Sequence, residues 1–130
     1  EIAGKLSKKK EWGKSVIETY GFIKSRRKFL EIIGRGHIGL NFAFKSAGTN
    51  VKKYDYAITK QVVLSNILGA KGDLLPYEYT FIDEYDLASK IDQIFDRDYL
   101  KMGEENALFA HKLHKKAKEK IKAKLLEIVK

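Results

Sequence analysis

Residues 48–66 read GTNVKKYDYAITKQVVLSN, and this stretch decides the fold. Gly48-Thr49-Asn50 precedes a segment from about Val51 to Ile58 that reads as a helix, and Gln61-Val62-Val63-Leu64-Ser65 is a β-rich run. Working outward, further β-rich runs occupy Ser15–Tyr20, Ile38–Phe42 and Tyr79–Ile82. A helix between the first two has Ser25 as its N-cap, Phe29, Leu30 and Ile33 on one face, and Gly34 as its stop. After the last run Asp83 caps a helix over about 84–96, and a final helix covers about 98–130. Strands alternating with helices imply crossovers and a mainly parallel sheet, so the expected fold is an α/β three-layer sandwich in one domain over 1–130. In such a sheet ligands bind beyond the carboxyl ends of the strands. The loops to watch are therefore Gly21–Lys24, Ala43–Asn50 and Asn66–Leu75.

The chain has 130 residues, enough for a real core, and a formal charge of +9. It has no cysteine, which excludes disulfides, thiolate metal sites and a cysteine nucleophile. No signal peptide or membrane-spanning run is evident. The chain begins at Glu1 within sequence that reads as structured, so a segment of a longer protein is expected. The charge is uneven: lysine and arginine crowd residues 5–35 and 112–130, whereas Asp73 to Glu105 is acidic. That distribution weakens a nucleic-acid reading without removing it.

Three motif-like features have plain explanations. Gly34-Arg35-Gly36-His37-Ile38-Gly39 spells GxGxxG but ends a helix and opens a strand, the reverse of a dinucleotide fingerprint. His111 and His114 lie three apart without a third metal ligand, and no metal site is expected. Asp83, Glu84 and Asp86 suit helix capping better than paired acids for hydrolysis.

The segment DEYDLASKIDQIFDRDYLKMGEENALFAHKL resembles the tail of GT-B glycosyltransferases of the group 1, family-4-like kind. Asp83, Leu87-Ala88, Ile91, Met102-Gly103-Glu104, Ala107, Phe109 and Ala110 carry that likeness. Upstream, GTNVKKYDYAITKQVVLSN resembles the family's nucleotide-sugar stretch, and VIETYGFI and RKFLEIIGRGHIGLNF resemble the elements before it. The resemblance implies the C-terminal, Rossmann-like donor domain, whose first strand would lie upstream of Glu1. It also implies a nucleotide diphosphate sugar as donor, no cofactor, an N-terminal acceptor-binding domain as partner, and a cytoplasmic enzyme, hexosyltransferase only when both halves are joined. It casts Asp55 as the acceptor of the ribose hydroxyls and Gly48, Thr49 and Asn50 as a phosphate cradle. Lys52 would add a cation, and Gly21, Phe22 and Ile23 would hold the base. No residue of this chain is expected to be catalytic.

The sequence departs from the family at two places: Ala47 stands where the first acid of the E-x7-E motif belongs, and Lys60-Gln61-Val62 replaces Gly-x-Pro. Retaining transfer relies on electrostatic stabilisation of the leaving diphosphate, so this chain alone is not expected to catalyse it. The alternatives are a basic α/β nucleic-acid module and a degenerate, non-catalytic donor domain. The tail from Lys112 to Lys130 carries eight lysines on an amphipathic pattern. Its narrow stripe favours packing on its own domain, ahead of an anionic membrane surface at the inner face and of an RNA-contacting arm.

Overall fold

A computed structural model describes residues 8–43, 52–72 and 74–129, and for residues 8–12 the backbone alone. The chain divides into two compact units, Glu1–Arg35 and Gly36–Lys130, where the sequence suggested one domain.

In the N-terminal unit β1 (Lys8–Trp12) pairs antiparallel with β2 (Ser15–Thr19), and Trp12 lies opposite Ser15. Gly13 takes φ +60 at the first position of the two-residue turn, the conformation such hairpins demand there. This corrects the expectation that Ser15–Tyr20 joins a parallel sheet: its hydrogen-bonding partner is the neighbouring lysine-rich strand. All of β2 is exposed. Helix α1 (Arg26–Ile33) follows, capped by Ser25, whose hydroxyl accepts from the Lys28 amide at 3.2 Å, and closed at Gly34.

The second unit is mixed α/β, built on a small open sheet of three parallel strands in the order β3 (Ile38–Asn41), β4 (Val62–Ser65), β5 (Glu78–Thr80). Helix α2 (Lys52–Ile58) lies in the β3–β4 connection. The β4–β5 connection over 66–77, read in the sequence as a loop at Asn66–Leu75, has no helix among its described residues. Strand β4 is buried at all four positions, as a central parallel strand must be. Its side chains divide between two clusters. Val62 and Leu64 pack with Phe81, Ile94 and Met102, supported by Leu87 and Ile91 of α3 (Glu84–Phe95). Val63 packs with Ala57, Leu75 and Ala110, supported by Tyr54, Ile58 and Phe109. Each such fully buried aliphatic side chain contributes roughly 1.5–3 kcal/mol.

The last helix, α4 (Tyr99–Ile128), reaches both clusters, through Met102 and then Ala110. Between them it passes the start of β4. A Cβ on Gly103 would lie 2.1 Å from the Lys60 carbonyl oxygen, so the helix approaches that backbone as only glycine permits. One turn later Asn106 donates to the Gln61 and Tyr77 carbonyls at 2.9 and 3.1 Å and accepts from the Tyr77 amide at 2.9 Å. Beyond the half-buried Leu113, every residue from His114 to Val129 is exposed. This corrects the expectation that the lysine-rich tail packs on its own domain.

Two turns set these elements, and each carries a prediction. Helix α2 ends with the Gln61 amide bonded to the Tyr56 carbonyl and the Lys60 amide to Ala57, with Lys60 at φ +64. That is a Schellman cap, whose left-handed position normally holds glycine. Lys60→Gly should therefore stabilise the unit by about 0.5–1 kcal/mol, the left-handed penalty less the extra chain entropy of glycine; urea unfolding checks it. At the start of α3, Asp83 accepts from the Asp86 amide at 2.7 Å, and Asp86 accepts from the Ile82 amide at 3.1 Å and from Lys90 at 3.0 Å. Lys90 also donates to the Thr80 carbonyl at 2.8 Å. The Lys90 hydrogen bond, then the Ile82 amide, holds the Asp86 carboxyl below its ordinary pKa. A depressed carboxyl stabilises the fold above its unfolded pKa and loses that contribution as pH falls through the folded one. Asp86→Asn should therefore cost stability at neutral pH, and the difference from wild type should close on acidification below the usual aspartate range.

Candidate functional site

Asp55 sits in the first turn of α2 with only 9% of its surface exposed, and Lys52 opens the same helix as an exposed side chain. Their neighbour Tyr56 lies over Gly39 of β3, where any Cβ would meet the ring at 2.3 Å. Burial raises the Tyr56 hydroxyl pKa, and the Asp55 carboxylate adds to it. Gly48, Thr49 and Asn50, like Ala47, lie outside the described residues. Gly21, Phe22 and Ile23 follow β2 in the N-terminal unit, Phe22 being 86% exposed. Of the sequence-predicted residues, then, Lys52 and Asp55 share one helix, while the base-holding segment belongs to the other unit.

The most developed polar constellation was not anticipated. Lys53 and Glu78 form an ion pair at 3.2 Å with side chains 0% and 1% exposed. Lys53 also donates to the Ala70 carbonyl at 3.1 Å. Glu78 accepts further from the Ser65 hydroxyl at 3.1 Å and the Leu75 amide at 3.2 Å. Asn41, the last residue of β3, donates to the Ser65 hydroxyl at 3.2 Å and the Gly69 carbonyl at 2.7 Å, while its buried side-chain oxygen finds no donor among the described residues. Asn66 continues the pairing past the strand ends, donating to the Ala43 carbonyl at 2.9 Å and accepting from the amides of Ala43 and Gly69. This network ties α2, the carboxyl ends of β3 and β4, and the 66–77 connection into one piece. Because its charges are buried and mutually satisfied, its chemistry is positional: it fixes α2, and therefore Asp55, against the sheet. The only available sequence signal was that Asn41 and Ser65 are small polar residues ending strands. Nothing distinguished Lys53 from its neighbour Lys52.

Gly34 closes α1 and Gly39 lies within β3, so the GxGxxG letters span a helix stop and a strand. His111 and His114 are exposed on α4, and no group of three metal-ligating residues occurs among the described residues. A cavity of about 410 Å³ opens along α4 beside Phe109, Lys112, Leu113 and Lys116; neither Lys52 nor Asp55 is among the described residues lining it. No helix of the described residues is long and apolar enough to cross a membrane. Comparison with protein-family models, curated proteins and solved structures finds no match to this chain.

Proposed function

We propose that this chain is the nucleotide-sugar donor-binding part of a retaining GT-B glycosyltransferase, a cytoplasmic three-layer domain that transfers sugar only when joined to an acceptor-binding half. The observation that carries this is the backbone at Lys60. It stands where the resembling family has the glycine of Gly-x-Pro, and its left-handed φ of +64 is the conformation a glycine there would serve. The geometry of that turn accords with the family although the residue does not. It also lies against Gly103, from the second stretch that carries the resemblance.

On this reading Asp55, held by the Lys53 network, accepts hydrogen bonds from the ribose hydroxyls. The amides of Gly48, Thr49 and Asn50 receive the diphosphate, and Lys52 adds positive charge. No metal is required for donor binding. Without the acceptor-binding half, and with Ala47 at the first acidic position of the motif, this chain alone is expected to bind donor without transfer. The competing reading, a nucleic-acid module, rests on the net charge of +9 and the exposed lysines of α4.

Calorimetric titration of the chain with UDP, GDP and a short RNA separates them. Saturable diphosphate binding, weakened about tenfold or more by Asp55→Ala through loss of a charge-assisted hydrogen-bonding pair, is the expected result. Salt-sensitive RNA binding that ignores this substitution, with no diphosphate binding, would replace the proposal by the alternative. Silence toward all three ligands would leave a degenerate domain.

A further inference from the structure

The exposed part of α4 carries an apolar stripe that no described residue covers. At 100° per residue, Leu113, Ala117, Ile121, Leu125 and Ile128 fall within about a third of the helix circumference, and Val129 extends the stripe. Ile121 is 61% exposed, Leu125 58% and Ile128 77%. The opposite face carries Lys112, Lys115 and Lys116 together with Glu119 and Leu126, Lys120 and Lys122 border the stripe, and Lys118 and Lys124 fall within its arc. From Lys112 to Val129 there are seven lysines against two glutamates, Glu119 and Glu127, and no arginine. Most helical stability in proteins comes from packing an amphipathic face, and this face has no partner among the described residues.

The charge chooses among occupants. A second copy of the helix would bring like-charged lysines along both borders of the stripe into contact. A nucleic acid would engage the lysines but leave the aliphatic stripe in water. An anionic bilayer satisfies both faces: the stripe sinks to the acyl boundary and the bordering lysines lay their stems along it, with ammonium groups among the phosphates. We propose that Lys112–Val129 of α4 is a membrane-surface helix that binds anionic phospholipid. The anchor is the helix's own first third, where Met102, Gly103, Asn106, Ala107 and Ala110 are buried in the domain. This holds whether or not the chain binds a nucleotide.

Co-sedimentation with vesicles of phosphatidylcholine alone, and of phosphatidylcholine mixed with phosphatidylglycerol, tests it on the whole chain. Binding is expected to the acidic vesicles, to weaken in high salt, and to fall about tenfold or more in Ile121→Glu/Leu125→Glu and in Lys118→Glu/Lys122→Glu. All four positions are exposed, so both variants keep the fold, which circular dichroism verifies. Three results overturn the proposal: no vesicle binding, equal binding to neutral vesicles, or vesicle binding untouched by both variants. Without vesicle binding, salt-sensitive RNA binding that survives Ile121→Glu/Leu125→Glu assigns the helix to nucleic acid. A dimer in analytical ultracentrifugation that this variant dissolves assigns it to self-association.

Discussion

Lys53→Met should be the most damaging single substitution in the second unit, costing about 3–5 kcal/mol. The lysine is fully buried, and its removal leaves the Glu78 carboxylate 1% exposed with only the Ser65 hydroxyl and the Leu75 amide as donors. A domain of this size has roughly 5–15 kcal/mol in hand, so the variant should be partly unfolded or close to it. The wild-type pair itself contributes far less than this loss suggests, because two desolvated charges cost nearly what their attraction returns. The double variant Lys53→Met/Glu78→Leu should therefore recover much of the stability. Recovery will be incomplete, since the Ser65 hydroxyl and Leu75 amide lose their acceptor. Urea unfolding followed by circular dichroism gives all three values. Equal stability of wild type and Lys53→Met would mean that this network does not hold α2.

Gly103→Ala should be the second largest, and here two effects of opposite sign compete. Alanine in a helix interior gains about 1 kcal/mol over glycine. The new Cβ, however, would stand 2.1 Å from the Lys60 carbonyl oxygen and 2.7 Å from its carbon. Both are backbone atoms, so no rotamer change relieves the clash. Either α4 moves outward or the Schellman turn deforms, and outward movement also strains the three hydrogen bonds of Asn106. Overpacking of this kind costs about 3 kcal/mol, at the upper end of its range, and outweighs the propensity gain. A rise in thermal stability for Gly103→Ala would refute the close crossing of α4 over the start of β4.

The elements legible in the sequence were those whose signals are local. The β-rich run around Val62-Val63-Leu64 announced a strand but not its central place in the sheet, and Ser25 and Asp83 announced their helices through hydroxyl and carboxylate caps that the structure places on the Lys28 and Asp86 amides. The order of the Gly34, Gly36 and Gly39 signals relative to helix and strand sufficed to reject a dinucleotide site. The hairpin of β1 and β2 was missed because three of the five residues of its first strand are lysine, and the Gly13-Lys14 turn was passed over. Its strand composition hid a pairing that turn chemistry could have suggested. Lys53 and Glu78 were illegible for a deeper reason: they lie 25 residues apart, and only the register of β4 against β5 brings them together. Periodicity cannot report that. The tail of α4 misled for yet another reason, since a stripe at three- and four-residue spacing looks the same whether protein or lipid is to cover it.

At the candidate site, legibility stopped at residue type. A carboxylate in the first turn of a crossover helix was visible as Asp55, but not that the adjacent lysine would be the buried strut fixing it in place. The central claim is donor-nucleotide binding beside Asp55, and amide chemical-shift mapping of the whole chain during a UDP titration tests it most directly. The prediction is a saturable response led by the amides of Gly48, Thr49, Asn50, Lys52 and Asp55, shifted to about tenfold or more higher UDP concentration in Asp55→Ala while the Lys53 and Glu78 amides keep their folded shifts. No response at these amides, or shifts confined to the lysines of α4, would contradict it.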